Sequence, residues 1–349
     1  MKTWFAGCAL VVMCTGCAPA LKDLKPSLTA TDSGTVWFAT AGGLVRTSDG
    51  SRFTTGDRVV ISGELGLPSG AGPFPAVILA HGCAGINPAA VAWASVLREW
   101  GYATFVVDSF GGRNLTEVCT NARTLTGTQR IPDAYGALRI LVTHPKIDPR
   151  RVALMGFSHG GVLTMGASTA WAKETFAPSG QPAFRAFLPF YPYCNTVYPE
   201  RERISAPVRI HIGELDDWTP AGPCARLVEI LRASGQDATI TVYPGASHGF
   251  DFSEVSFVRL TNVESGADCA LQAASILGPL SSGSDISRCM RKGATVGFNP
   301  EATEQARRNV RAQLAGTAQV STTRFWKTAK ALSLTIPQSL LLRADQVVE

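Results

Sequence analysis

What this sequence lacks narrows what it can be. Only 17% of its residues are charged, and the net charge of +5 is spread without a Lys/Arg run. That leaves no electrostatic footprint for nucleic acid. No internal repeat is present. The six cysteines beyond residue 20 form no C-x-x-C pair, and none joins a Cys/His cluster of zinc-ligand spacing. A metal centre is therefore the weaker reading, and no cofactor is expected. Histidine is scarce, at five residues, so each one can be weighed singly as a base.

What is present fits one α/β domain with additions, at 349 residues and 45% apolar composition. The N-terminus reads as a targeting segment over residues 1–20. Met1-Lys2 gives a short positive start, and WFAGCALVVMCTGC is apolar but too short to span a bilayer as a helix. Two exits follow. Cys14-Thr15-Gly16-Cys17 is lipobox-like, with Cys14 where Leu is usual, and acyl chains on Cys17 would tether the protein to a membrane. Ala18-Pro19-Ala20 is the A-x-A pattern of plain secretion. Either way the expectation is an exported bacterial protein, periplasmic or membrane-anchored as a lipoprotein. Six remaining cysteines in an exported chain suggest disulfides, although spacing alone leaves 15 connectivities open.

Residues 21–57 read as an N-terminal extension with one strand at TVWFA. From residue 58 strands alternate with helices of ten or more residues. RVVISGELGLP, AVILA, YATFVVDSF, RVALMGF, FRAFLPFYP, VRIHIGEL and TITVYP are the strands. PAAVAWASVLREW, IPDAYGALRILVTHP, GVLTMGASTAWAKETF and GPCARLVEILRASG are the helices. RVALMGF is apolar throughout, as a strand buried on both faces must be. The pattern predicts an α/β fold, a mostly parallel sheet with helices on both faces. Residues 251–299 break the rhythm and read as an excursion from a domain spanning 58–314, which resumes at the helix PEATEQARRNVRAQL. Residues 316–349 read as a tail with no assigned role.

G-x-S-x-G occurs twice, as GFSHG (Gly156–Gly160) and GASHG (Gly245–Gly249). A nucleophile elbow needs a sharp strand–turn–helix, with glycines where side chains would meet neighbouring backbone. GFSHG follows the buried strand RVALM and precedes a helix. GASHG follows a strand, but FDFSEVSF after it does not read as a helix. The chain order of such sites is Ser, then Asp or Glu, then His. No histidine lies beyond 248, so Ser247 has no base further on than its own neighbour. Ser158 is the candidate nucleophile and GASHG the loop that presents His248. The acid belongs at a strand end between them, where VRIHIGELDDWTP offers Glu214, Asp216 and Asp217. Asp216 is preferred, with Asp217 the fallback. Of the other histidines, His81 belongs to the HG loop, His144 precedes a proline, His159 is on the elbow and His211 sits in a strand as a packed core residue. Two backbone donors should face the developing oxyanion, the N–H groups of His159 and Cys83.

At these residues the sequence resembles the dienelactone hydrolase family of α/β hydrolases. AHGCAG, VVDSFGGR, MGFSHGG, FYPYC, GELDDWTPAGPC and YPGASHGFD carry the resemblance, over about residues 58–314. It implies an eight-stranded, mostly parallel sheet and a Ser158, Asp216, His248 triad acting on a small-molecule ester or lactone. The family's archetype has cysteine at the nucleophile, so the match is to an exported branch with serine. The resemblance also suggests three pairings, Cys83–Cys119, Cys194–Cys224 and Cys269–Cys289, the last stapling the excursion. Arg113, in the loop after YATFVVD, is a candidate for gripping a substrate carboxylate through its fork; the alternative is a surface arginine paired with an acid. Tyr191, Tyr193 and Trp218 end strands on the same side and are candidate pocket residues; the equal alternative is that they pack beneath the loops. A peptidase or acyltransferase on the same scaffold stays open, as does a non-catalytic envelope lipoprotein, because loops and not the fold set specificity.

Overall fold

In this computed structural model the structure describes residues 24–42, 44–46, 53–276 and 286–331. The expected targeting segment 1–20, with Cys17, and the end of the tail beyond 331 lie outside the described residues.

The chain starts with β1 (Gly34–Ala41), the short pair β2 (Leu44–Arg46) and β3 (Phe53–Thr55), and β4 (Arg58–Gly66). Strands and helices then alternate through β5 (Phe74–Ala80), α1 (Pro88–Glu99), β6 (Ala103–Asp108), α2 (Ile131–Leu141) and β7 (Ile147–Phe157). They continue through α3 (His159–Ala167), α4 (Ala170–Phe176), β8 (Ala186–Phe190), the two-residue β9 (Thr196–Val197), β10 (Val208–Gly213), α5 (Ala221–Ala233) and β11 (Ala238–Tyr243). The rest is β12 (Val258–Ser265), β13 (Leu271–Gln272), α6 (Ile286–Cys289), β14 (Arg291–Val296) and α7 (Pro300–Ala331).

Eight strands form one sheet in the order β1-β4-β6-β5-β7-β8-β10-β11. Only the β1–β4 and β4–β6 pairings are antiparallel; the others run parallel. This is the expected α/β hydrolase architecture. Residues Ala76–Ala80 of β5 and Val152–Phe157 of β7 are all buried. Consecutive buried residues point to opposite faces of a strand, so both faces of the sheet are covered. The strand order reverses at β5: the chain steps out to β6, then returns past β5 to β7. The ends of β5 and β7 meet at that reversal, where Ala80 pairs with Gly156. In open α/β sheets this is where the carboxyl ends leave a crevice.

Local signals place the flanking elements. Asn87 caps α1, its side chain accepting from the Ala90 N–H, and Pro88 takes the first helical turn, where its missing N–H costs nothing. Ala302, Ala306, Val310 and Leu314, spaced by four, are the buried stripe of α7. That helix runs on through residue 316, where the tail was expected to separate, to Ala331.

Two regions differ from the expectation. The segment read as an N-terminal extension supplies β1, which pairs along its whole length with β4 and buries Val36 and Phe38. The excursion 251–299 is also more ordered than its pattern suggested: β12 pairs with β14 and β13 with β9, outside the main sheet. Four of the eight residues of β12 are exposed and only two are buried, so its burial did not require the apolar alternation along its whole length that would have marked it as a strand.

Candidate active site

The two G-x-S-x-G copies use glycine for different physical reasons. In GFSHG, Ser158 has φ 53° and ψ −110°, a strained position for a residue with a side chain, between the end of β7 and the start of α3. A Cβ on Gly160 would overlap the carbonyl oxygens of Ala80 and His81, and one on Gly156 would overlap the backbone of Gly160. Both glycines are needed for close approach. In GASHG, Gly245 and Gly249 have φ of 64° and 65°, and a Cβ on Gly249 would meet nothing within 4 Å. Those glycines serve a turn. The turn carries His248 back over the sheet, where its carbonyl accepts from the Gly297 N–H at 3.2 Å.

His248 joins the two other candidates. Its Nε2 lies 2.9 Å from Ser158 Oγ and its Nδ1 lies 2.8 Å from Asp216 Oδ2. Asp216 is held in turn. The N–H groups of Trp218 and Thr219 donate to Oδ1 at 3.0 and 2.8 Å, and Thr219 Oγ1 lies 2.9 Å from Oδ2. Asp216 and His248 are 5% and 3% exposed, so little water competes for these bonds. The fallback Asp217 faces elsewhere: it pairs with Arg259 and accepts from the N–H and hydroxyl of Thr295 on the excursion. Tyr191 and Trp218 clasp the His248 ring, with centroids at 4.6 and 4.8 Å. Trp218 Nε1 donates to the Glu264 carbonyl, which ties it to β12.

The loop after β5 lies against this elbow, since a Cβ on Gly82 would be 3.7 Å from Ser158 Cβ. His81 is fully buried. The Ser109 N–H donates to its Nε2 at 3.2 Å, so Nδ1 carries the proton and donates to the Gly82 carbonyl at 2.8 Å. His159 is the opposite tautomer: Arg130 donates to Nδ1 at 2.8 Å, and Nε2–H donates to the Leu125 carbonyl at 2.9 Å. Burial, and after it the Arg130 charge, hold both imidazoles neutral; His81 is pushed well below its usual range and His159 down to about 3. Arg130 was not singled out from the sequence. An arginine between a loop and a helix reads as surface, yet it is 0% exposed.

Arg113 is a correction. Its fork grips Asp133, Nη1 to Oδ2 at 2.9 Å and Nη2 to Oδ1 at 2.8 Å, and Nη1 also donates to the Ser109 carbonyl. The guanidinium is spent on a fully buried carboxylate inside the protein and is not open to a substrate. Tyr191 is likewise a support and not a pocket wall: it is 4% exposed, has φ 37°, and donates its hydroxyl to Asp251 at 2.8 Å. Trp93 Nε1 donates to the other oxygen of Asp251 at 2.7 Å. Tyr193 donates its hydroxyl to the Gly266 carbonyl.

Three disulfides are formed, Cys83–Cys119, Cys194–Cys224 and Cys269–Cys289. They are compatible with an exported protein. The first ties the loop beside Ser158 to the loop after β6. The second ties the loop after β8 to the first turn of α5, just beyond Asp216. Among the described residues no cluster of His, Cys, Asp or Glu could hold a metal ion, and no helix is long and apolar enough to cross a membrane. A cavity of about 630 Å³, lined by Arg150, Lys173 and Arg185 among others, lies at the amino ends of β7, β8 and β10, away from the triad.

A mostly parallel sheet with a strained serine elbow at its strand reversal defines an α/β hydrolase. Residues 61–274 match the Dienelactone hydrolase family. A relative from Bradyrhizobium sp., named "Probable 2-oxo-3-(5-oxofuran-2-ylidene)propanoate lactonase", is 23% identical over 204 residues, 53% of this chain and 77% of its own. The dienelactone hydrolase-like promiscuous phosphotriesterase P91, from metagenomic libraries, superposes with a TM-score of 0.52 at 17% identity, over 81% of this chain and 99% of that one. Esterase 2 of Thermogutta terrifontis gives 0.43 at 18% identity, over 60% of this chain and 85% of that one. The chain belongs to the dienelactone hydrolase family and is a carboxylic ester hydrolase.

Two outcomes follow from this geometry. Gly160→Ala pushes the elbow away from Ala80 and His81; a shift of that kind lowers turnover by about a hundredfold. Gly249→Ala meets no neighbour and carries only the cost of its positive φ, about 1–2 kcal/mol of unfolding free energy read from a urea denaturation curve. Wild-type turnover in Gly160→Ala would contradict the close approach. The second outcome concerns pH. His81, His159 and His211 are all held neutral, the last pushed by burial down to about 4. Their folded values lie below the unfolded one, about 6.5. Their contribution is therefore complete above that pH and is lost as pH falls toward the folded values. Each adds a slope of up to about 1.4 kcal/mol per pH unit in that window. Burial raises the Asp251 carboxyl, which opposes them as a single group. The urea midpoint should fall steeply from about pH 7 to about pH 5; an unchanged midpoint contradicts the neutral burial.

Proposed function

We propose that this protein hydrolyses a carboxylic ester or lactone through an acyl-enzyme on Ser158. The observation that carries the reading is the continuous line from Ser158 Oγ through His248 to Asp216, at 2.9 and 2.8 Å. His248 Nε2 takes the hydroxyl proton as Oγ attacks the substrate carbonyl. Asp216 accepts from Nδ1–H, which keeps the tautomer correct and stabilises the imidazolium that forms. The N–H groups of Cys83 and His159 receive the oxyanion; His159 opens α3, where the first N–H groups have no partner inside the helix. His248 then returns the proton to the leaving alcohol. In the second half-reaction it takes a proton from water, which attacks the acyl carbon and frees Ser158.

The lactone substrate in the Bradyrhizobium relative's name supports including lactones in the range. Because Arg113 is bound to Asp133, substrate recognition here does not depend on that fork. Export, with a lipid tether at Cys17 or release after Ala20, belongs to the same proposal.

The test is fluorophosphonate labelling of the protein from its native envelope, with the digest read by mass spectrometry. The label should fall on Ser158. Ser158→Ala and His248→Ala should each lower p-nitrophenyl acetate turnover by about four orders of magnitude or more. Ser158→Ala with wild-type turnover contradicts the mechanism. The same digest should show an acylated Cys17 or a start at residue 21; a retained Met1 contradicts export.

A further inference from the structure

We propose that Arg130 is a positioning residue that sets the spacing of the two oxyanion donors; the inference rests on the acyl-enzyme reading of Ser158. Arg130 ends a turn of 3-10 helix, Thr128–Arg130, directly before α2. Its Nη1 donates to the His81 carbonyl at 3.0 Å and to His159 Nδ1 at 2.8 Å. These acceptors belong to the two segments that carry the proposed oxyanion donors. His81 opens the His81-Gly82-Cys83 turn that carries one donor, and His159 is the residue whose own N–H is the other. One nitrogen therefore spans the gap between the loop after β5 and the elbow after β7.

The arrangement is costly to build. Arg130 is 0% exposed, and its Nε and Nη2 find no hydrogen-bond partner among the described residues. A buried guanidinium so thinly partnered does not recover its desolvation penalty. Burial pulls its pKa down to about 10, partly offset by Asp133, with Arg113 lowering it further. It still carries its charge at neutral pH. The face of Phe110, 5.2 Å from Cζ, offsets part of the cost. An apolar side chain could fill this space without any of these costs. What it could not do is hold the His81 carbonyl and the His159 ring to one point, or fix His159 as the Nε2–H tautomer.

The alternative is a structural role alone, and the two separate in kinetics. Loss of donor spacing weakens transition-state binding and leaves ground-state binding alone, so kcat falls while KM does not. The experiment uses the full chain with Arg130→Met and Arg130→Lys, their thermal midpoints, kcat and KM for p-nitrophenyl acetate, and inhibition by an alkyl trifluoromethyl ketone, whose adduct on Ser158 carries an oxyanion. For Arg130→Met the expected result is a fall in kcat of about 30- to 100-fold, KM within about threefold, and inhibitor affinity weakened by the same factor as kcat. Arg130→Lys reaches one acceptor as a point donor and should recover part of the loss. If Arg130→Met does not fold, Arg130→Lys decides alone: a fall in kcat matched by inhibitor affinity supports the assignment. A folded variant with wild-type kcat, or one that loses kcat without a matching loss of inhibitor affinity, overturns it. Ser158→Ala is assayed beside them. Turnover retained there removes the acyl-enzyme reading itself, whereas a dead Ser158→Ala with a fully active Arg130→Met removes only the role given to Arg130.

Discussion

The turn at Ser158 forms only because two glycines let the start of α3 sit against the carbonyls of Ala80 and His81 and against the end of β7. That contact brings the elbow and the loop after β5 to the same point on the sheet edge, where Ala80 and Gly156 are already paired. The strained Ser158 backbone costs roughly 1–3 kcal/mol. It is held because β7 on one side and α3 on the other are packed into the core, so the turn has nowhere to relax. The other parts of the site are placed relative to this fixed hydroxyl. β10 ends close enough for the loop Gly213–Thr219 to present Asp216, and β11 ends at the turn that returns His248.

Rigidity around Ser158, Asp216 and His248 comes from the side chains packed and bonded beside them. Thr219 and the backbone N–H groups beside it fix the Asp216 carboxylate. Tyr191, locked by its bond to Asp251, and Trp218, locked by its bond to Glu264, hold the His248 ring from two directions. Glu264 also accepts from the Ala122 N–H, and its own N–H bonds to the Cys119 carbonyl. The excursion thereby joins the acid loop to the disulfide-bonded loop after β6. A segment without a place in the main sheet thus braces the rim.

Much of this was legible in the chain. The elbow stood out because RVALM must be a doubly buried strand and GVLTMGASTA a helix, and that context separated Ser158 from Ser247. Scarcity of histidine and the order of the motifs pointed to His248, and the strand-end loop to Asp216. The parts that were not legible share a cause: they depend on which distant segment a residue meets. Arg113 and Asp133 are twenty residues apart, and nothing local says that the fork closes inward. Arg130 reads as a surface charge until the fold buries it between His81 and His159. Tyr191 fitted a pocket wall and a packed support equally well, because the sequence does not show its backbone at φ 37°. β1 looked like an extension because its partner β4 is reached only through long-range pairing.

The most direct check of this arrangement is a crystal structure of the protein after reaction with a fluorophosphonate. The account predicts phosphorus bonded to Ser158 Oγ, with the phosphonyl oxygen about 2.7–3.1 Å from the backbone nitrogens of both Cys83 and His159, and His248 still joined to Asp216. Phosphorus on another residue, or a phosphonyl oxygen turned away from those two nitrogens, would contradict it.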